Sequence, residues 1–400
     1  MTSLISDAAG ITIGSHFHPI YSLAHRRTVG LEGLLRATAD GQPLEPLDAF
    51  ARIPSTERHR FDLEVATAHA TRFQPLAQGP NWLFLNVDTA SMLRPDQAAR
   101  LADTLLATGI DPQSVVLEVL EHALELDIQL IAALTTLKKA GFLVAVDDFG
   151  VGPSNLDRIC ELAPEFVKFD KHLLRGASTQ PRIRNLLHRL VHLMHDSGAL
   201  VIQEGVETET DVLLALESGC DLIQGYYPAR PAEHPDRDDV ITPRIDARWD
   251  ELMVRDLLKR KITRRQLELA RQSFVQTAIS LIQNTPFDEA AKPLLSMPDA
   301  IRCFLLDSEG RQIGRNLDSL PGRKAAGKPK FAPLADTTGA VWSRRAYFQH
   351  AVDQPGVLYM SEPYLSMTDT RSCVTLSMAI EINEALHVLC ADILSPHGTR

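Results

Sequence analysis

Between residues 14 and 232 the chain alternates short apolar runs with longer segments whose apolar residues recur at helical spacing. The runs predict strands at Phe17–Ser22, Thr28–Leu31, Trp82–Val87, Val115–Val119, Leu143–Asp147, Phe166–Phe169, Ala199–Gln203 and Leu222–Gly225. The segments between predict helices at Arg60–Arg72, Pro95–Thr108, Asp127–Ala140, Ile183–Asp196 and Glu209–Ser218. Strands that alternate with helices imply parallel pairing and an α/β fold. Eight strands in this length fit a TIM-like (β/α)8 barrel. An open doubly wound sheet shares the periodicity, but its glycine-rich dinucleotide turn is missing from the first unit.

Around Pro228–Pro243 the pattern dissolves into a proline- and aspartate-rich stretch that resists helix and sheet, and the domain boundary is placed there. A long helical run follows from Ala247 to Asn284, read either as a capping helix of the second domain or as a signalling or dimer helix. Beyond Pro286 the texture becomes antiparallel β, with Ile301–Asp307, a turn at Ser308–Arg311, then Gly356–Ser361, Cys373–Ile382 and Ala385–Ile393. The expected division is therefore a barrel over 1–245, a connecting helix over 246–285 and a smaller α+β domain over 286–400.

Composition narrows the class. At 44% apolar and 23% charged residues, the 400-residue chain is globular rather than disordered. A net charge of -10 argues against non-specific binding to DNA, which needs a basic face. It leaves room for a small anionic ligand held by a metal or local arginines. Five scattered cysteines, none in a Cys-x-x-Cys pair, suit a reducing compartment rather than a disulfide framework or structural zinc. No apolar stretch approaches a membrane span and no basic leader precedes an apolar run, so the expected location is cytoplasmic.

One regularity carries the chemistry. Strand after strand runs into a residue that binds metal or moves protons: Glu32, Asn86, Glu118, the pair Asp147-Asp148, Lys168 and then Asp170, Glu204, and Gln224. In a parallel barrel the C-terminal strand ends converge on one face. Several carboxylates there cannot all stay ionised in low dielectric without a cation, and hard oxygen ligands suit Mg²⁺ or Mn²⁺. With Asp147 shared, two ions could clamp a phosphodiester and activate a water. A single acid at a strand end is usually a turn former or helix cap, and a lysine there is as often snorkelling as catalytic. A series of such coincidences is far rarer than one.

These residues resemble the EAL-domain phosphodiesterases, which hydrolyse cyclic di-GMP. The matching pieces are Phe17-His-Pro-Ile, Leu31-Glu-Gly-Leu-Leu-Arg, Leu85-Asn-Val, Leu117-Glu-Val-Leu-Glu, Asp147-Asp-Phe-Gly-Val-Gly-Pro-Ser-Asn-Leu, Val167-Lys-Phe-Asp, Gln203-Glu-Gly-Val-Glu-Thr and Gln224-Gly-Tyr-Tyr. They occur in the family's order over residues 14–232. The resemblance implies that Glu32, Asn86, Glu118 and Asp147 hold a first metal, and that Asp147, Asp148 and Glu204 hold a second. It implies Glu204 as a general base, Lys168 against the attacking water or a phosphate oxygen, and Gln224 orienting that water. Glu121 would brace the loop Phe149–Leu156, and Arg36, Asp170 and Leu34 would contact the substrate. The implied product is linear pGpG.

The chain departs from the pattern at several positions. The signature Glu-Ala-Leu is Glu32-Gly33-Leu34, and the usual glutamine before Pro19 is His18, at a position read as peripheral. The loop carries Val151, Pro153 and Asn155 where the family has Thr, Tyr and Ser. Val151 loses a hydroxyl, and Pro153 loses an aromatic ring and stiffens the backbone.

In the second domain, Trp342-Ser-Arg-Arg-Ala-Tyr-Phe, Ser361-Glu-Pro-Tyr-Leu-Ser and Val388-Leu-Cys-Ala-Asp-Ile resemble strand signatures of PAS/Cache-like sensory modules. A similar module follows the EAL domain in YkuI-like proteins. The resemblance implies a small-molecule pocket with Arg345, Tyr347, Tyr364 and Asp392; the alternative is a structural dimerisation domain. No Gly-Gly-Asp-Glu-Phe segment exists for a cyclase. Three functions stay open at this point: a two-metal cyclic di-GMP phosphodiesterase under a sensory domain, a catalytically weak or silent cyclic di-GMP receptor, and a dimer scaffold. A homodimer is expected in each.

Overall fold

The computed structural model describes residues 4–6, 10–76, 82–92, 95–126, 128–151, 156–319, 334, 336–368 and 371–395. The chain divides into two compact units, Met1–Val254 and Arg255–Arg400.

The first unit is a closed barrel of eight strands: β1 (Ile11–Ser22), β2 (Arg27–Ala39), β3 (Trp82–Asn86), β4 (Val115–Leu120), β5 (Leu143–Phe149), β6 (Phe166–Phe169), β7 (Leu200–Gln203) and β8 (Leu222–Ile223). Strands β2 to β8 pair in parallel, each with the next in sequence. Strand β1 closes the ring between β8 and β2, antiparallel to both. The all-parallel expectation fails at this strand for a simple reason. Only Leu23–Arg26 separate β1 from β2, which is enough for a hairpin and too short for a crossover helix.

Strand β2 also runs well past its expected end at Leu31, to Ala39. Beyond the barrel wall it stays paired with β1 as a two-stranded ribbon, packed on Ala49, Ile53, Phe61 and Val65. The helices expected between strands are present, among them Arg58–Phe73, Pro95–Ala107, Ile128–Lys139, Pro181–Asp196 and Glu209–Ser218. Their apolar faces pack on the outward side chains of the strands in one continuous core.

Inside the barrel, each strand contributes one side chain to an apolar floor: Ile20, Val29, Phe84, Val116, Ala145, Phe166, Ile202 and Leu222. Side chains two residues apart on a strand share a face, so the next inward position sits one layer above. Two residues beyond the floor come Asn86, Glu118, Asp147, Lys168, Glu204 and Gln224. On antiparallel β1 the same layer lies two residues earlier, at His18, which pairs in register with Glu32.

The long helix spans Asp238–Ile282, beginning earlier than Ala247 and carrying Pro243 within it. Side-chain contacts outweigh the backbone bond that proline removes. Asp238 Oδ1 accepts from Thr28 N at 2.7 Å, Tyr21 Oη donates to Thr242 Oγ1 at 3.1 Å, and Ile241 and Ile245 join the barrel core.

The second unit is an antiparallel sheet with helices. Its strands are β9 (Ala300–Leu306), β10 (Gln312–Asp318), β11 (Tyr359–Met360), β12 (Tyr364–Leu365), β13 (Ser372–Ile382) and β14 (Ala385–Leu394), in the order β10-β9-β14-β13, with β11 and β12 both on β13. Asn383 and Glu384, both at positive φ, make the two-residue turn between β13 and β14. Strand β10 is absent from the sequence expectation, and Gly356–Ser361 shrinks to Tyr359–Met360. Trp342–Phe348 is not a strand: a helix runs over Ala346–Asp353, because Tyr347, Phe348 and Ala351 bury one helical face against Phe304, Leu306 and Val388.

Candidate active site

The polar layer meets at the barrel mouth around one lysine. Lys168, on β6, is buried with its Nζ 2.7 Å from Glu118 Oε1, 2.8 Å from Glu204 Oε1, 3.3 Å from Asp147 Oδ1 and 3.9 Å from Glu32 Oε1. Two amides hold Glu32 from either side. Asn86 Nδ2 donates to its Oε1 at 2.9 Å, and Gln224 Nε2 to its Oε2 at 2.7 Å. Glu32 itself is not at a strand end, since β2 continues for seven residues past it; it enters the mouth where β2 leaves β3 for the ribbon.

The adjacent acids Asp147 and Asp148 need a special device, because neighbours on a regular strand face opposite ways. The register between β5 and β6 slips between Val146 and Phe149, and Asp148 takes a left-handed φ of 57°. This bulge re-aims Asp148, so that carboxylate oxygens of Asp147, Asp148 and Glu204 all lie within 4.8 Å of one another. Glu121, at the start of the helix Glu121–Leu126, accepts from Gly150 N through its Oε2 at 3.0 Å and so ties the chain just after β5. The rest of that loop, including Pro153 and Asn155, lies outside the described residues. Val151 is exposed.

Asp170 caps the helix Lys171–Thr179, its Oδ1 accepting from His172 N at 2.7 Å and contacting the His172 ring. It also lines a cleft of about 270 Å³ with His18, Asp148, Glu204, Gln224 and Tyr226. Arg36 and Leu34 sit further along the β2 ribbon, in a neighbouring groove of about 500 Å³ with Leu47, Phe50, Asn86 and Glu118. His18 is therefore part of the mouth rather than peripheral. The signal that would have found it is the reversed direction of β1, which places position 18 in the acid layer.

Charge is badly balanced here. Glu32, Glu118, Asp147, Asp148 and Glu204 gather round one buried ammonium, with Lys171 lining the cleft beside them. Burial pushes the Glu204 carboxyl up from 4.5 to about 7, against the pull of Lys168. Burial also drives Glu118 well above the carboxylate range, and burial with Asp147 raises Asp148. For Glu32 burial is outweighed by Lys168, the Asn86 amide, His18 and the Gln224 amide, leaving it below its ordinary value. Burial opposes the charge on Lys168, but Asp147, Glu118, Glu204 and Glu32 hold its proton firmly. His18 is pushed down by burial. Glu118 Oε2 is buried without a hydrogen-bond partner. An orphaned carboxylate oxygen inside an all-oxygen acid cluster fits a hard divalent cation.

The sequence profile of the EAL domain matches residues 8–231. The chain belongs to the EAL domain family. It is 29% identical over 343 residues to YkuI of Bacillus subtilis, an uncharacterised EAL-domain protein, covering 83% of this chain and 82% of YkuI. The YkuI crystal structure, in complex with its substrate c-di-GMP and calcium, superposes with a TM-score of 0.78 at 25% identity over 96% of both chains. BlrP1 of Klebsiella pneumoniae, solved with manganese and cyclic di-GMP, matches at TM-score 0.52 and 29% identity over 58% of each chain. The cyclic di-GMP phosphodiesterase RocR of Pseudomonas aeruginosa is 32% identical over 37% of this chain and 38% of its own length. Among the described residues of this EAL protein, no helix is long and apolar enough to cross a membrane.

Beyond the EAL domain, the second unit brings Arg345, Tyr347, Tyr364 and Asp392 to one small polar pocket. Asp392 Oδ2 lies 3.2 Å from Arg302 Nε, both side chains buried in the sheet. Its Oδ1 accepts from Thr375 Oγ1 at 2.8 Å, which in turn sits 2.8 Å from Tyr364 Oη. The Tyr347 and Tyr364 rings stack at 6.4 Å, and the Arg345 guanidinium covers Tyr364 at 5.3 Å. Arg302 is the member that sequence reasoning missed, hidden in the otherwise apolar run Ala300-Ile-Arg-Cys-Phe-Leu-Leu.

Proposed function

We propose that the chain is a cyclic di-GMP phosphodiesterase that opens its substrate to linear pGpG with two Mg²⁺ or Mn²⁺ ions. The observation that carries the reading is the acid layer around Lys168, with Glu118 Oε2 orphaned inside it. Glu32, Asn86, Glu118 and Asp147 would hold one ion; Asp147, Asp148 and Glu204 the other. Bound there, the ions would neutralise the phosphodiester and make the attacking water more acidic.

The chain's own groups supply the rest. Glu204, whose carboxylate stands beside Lys168 and Asp147, would take the proton of the attacking water. Gln224 spends its amide N–H on Glu32 and leaves its buried Oε1 to accept from that water. Lys168 keeps its proton and donates to a phosphate oxygen. Arg36, Leu34 and Asp170 line the two clefts on either side of the acids and hold the nucleotide. Glu121, through Gly150 N, holds the start of the loop after β5. Incubation of the full chain with cyclic di-GMP and Mg²⁺ or Mn²⁺ should yield pGpG; tight binding without product in either metal contradicts the reading.

The loop favours a second reading, a cyclic di-GMP receptor with little turnover. Val151 offers an exposed isopropyl where the family has a hydroxyl. If the loop is the weak part, the double substitution Val151→Thr, Pro153→Tyr raises the rate; if turnover is lost elsewhere, it does not.

The functional division we infer is a catalytic barrel over 1–245, a connecting helix over 246–285 and a PAS/Cache-like sensory module over 286–400. The pocket of Arg345, Tyr347, Tyr364 and Asp392 has room for about one water, about 20 Å³, so a small-molecule ligand for that module requires it to open. Exposed Val254, Leu257, Leu258 and Leu269 on the long helix support a homodimer, checked by sedimentation.

A further inference from the structure

The helix Pro181–Asp196 carries a histidine series, His188, His192 and His195, that the EAL chemistry does not use. His188 and His192 are four residues apart, which places them one above the other on one helical face. Both are exposed to solvent. Their ring centroids are 4.5 Å apart with the planes at 87°. Two imidazoles bound in adjacent positions on one ion, with metal–nitrogen bonds of about 2.0–2.1 Å, place their rings at about this separation. The ring separation of the pair matches that spacing.

A second observation points the same way. His188 Nδ1 lies 3.0 Å from the Ser218 carbonyl oxygen, so Nδ1 donates and Nε2 is left as a lone-pair donor. Metal-bound histidines are commonly held in this way, the far ring nitrogen donating to a carbonyl or carboxylate that fixes the tautomer. His195 is anchored separately, its Nε2 2.8 Å from Asp221 Oδ2, and its ring stands edge-on to His192 at 6.3 Å. It stands farther from His192 than His188 does, and the two-imidazole site is argued without it.

We propose that His188 and His192 form a two-imidazole site for a borderline first-row divalent cation, Cu²⁺, Ni²⁺ or Zn²⁺, with water completing the coordination. Neutral imidazole suits these ions and not Mg²⁺ or Ca²⁺, which take oxygen donors. The chain would thus hold two kinds of metal site told apart by ligand hardness, hard acids at the barrel mouth and nitrogens on the outer helix.

Electron paramagnetic resonance of Cu²⁺ added to the full chain in excess Mg²⁺ tests this, since coupling to ligand nitrogen separates imidazole from carboxylate binding. One equivalent should show coupling to two nitrogens. His188→Ala and His192→Ala should each weaken that binding by about tenfold or more, which corresponds to at least about 1.4 kcal/mol. His195→Ala should leave the two-nitrogen signal in place. A circular-dichroism melt without metal checks that the variants fold. The proposal is overturned if the parent shows no nitrogen-coupled equivalent, or if the same signal at the same affinity survives in the His188→Ala, His192→Ala double variant.

Discussion

The barrel mouth and the pocket of the second unit both bury charge, and they balance it in opposite ways. At the mouth, five carboxylates share one lysine and Glu118 keeps an orphaned oxygen. In the second unit Asp392 faces Arg302 at 3.2 Å, and a hydroxyl chain through Thr375 and Tyr364 takes up its other oxygen. A buried charge is tolerated when paired and hydrogen-bonded. The second pocket meets that condition from its own residues. The mouth lacks enough cationic partners of its own, so its acids must take up protons or an added cation, and burial accordingly raises Glu118 and Glu204.

The largest effects come from removing the cation side of each pair. Lys168→Met and Arg302→Met each leave buried acid without its partner and should each cost about 3–5 kcal/mol in urea unfolding without metal. Mn²⁺ should restore much of the loss at Lys168 and none at Arg302. Equal rescue, or none at either, breaks the contrast.

Glu32→Ala comes next. It removes an acid held by both Asn86 and Gln224, and hydrolysis should fall by about 10²–10³-fold, the scale on which loss of one electrostatic contact to a reacting group acts. Nucleotide binding should weaken much less, because Arg36 and the second acid group remain. A variant that hydrolyses as fast as the parent contradicts the assignment.

The pH dependence of stability is smaller and has a definite sign. Glu204 titrates at about 7 in the fold against 4.5 in its ordinary state, so the native chain binds more protons between those values. The Glu204 contribution to metal-free stability, read as the parent minus the Glu204→Gln variant, should therefore fall as pH rises from about 4.5 through about 7. Buried His69, lowered to about 3, pulls the whole-chain curve the other way. Mn²⁺ should flatten the Glu204 slope. A parent-minus-Glu204→Gln difference that climbs across this window contradicts the charge imbalance.

The smallest effect concerns the signature itself. A Cβ on Gly33 would lie 2.9 Å from the ring of buried His69, which fills the space an alanine methyl needs. Gly33→Ala should destabilise by about 1–3 kcal/mol through overpacking. His69→Ala in the same chain should recover part of it.

Much of the site was legible because each strand's apolar run ends where the barrel floor gives way to the polar layer, as at Val116 and Glu118 or Phe166 and Lys168. The Asp147-Asp148 pair was legible as a pair, but the bulge that turns both toward the mouth is not written in residue type. Glu32 looked like a strand end because nothing in Leu34–Ala39 shows that the strand leaves the barrel as a ribbon. His18 needed the direction of β1, and Arg302 needed a partner ninety positions away on another strand. Each of these is a tertiary fact about register, which local periodicity does not carry.

Crystals of the full chain soaked in Mn²⁺ and cyclic di-GMP, with anomalous scattering measured at the manganese edge, test the central claim most directly. The account predicts two peaks at the barrel mouth bridged by Asp147, one reached by Glu32, Asn86 and Glu118 and the other by Asp148 and Glu204, and none in the Arg302–Asp392 pocket. No peak at the mouth, or a single ion that Asp147 does not touch, would contradict it.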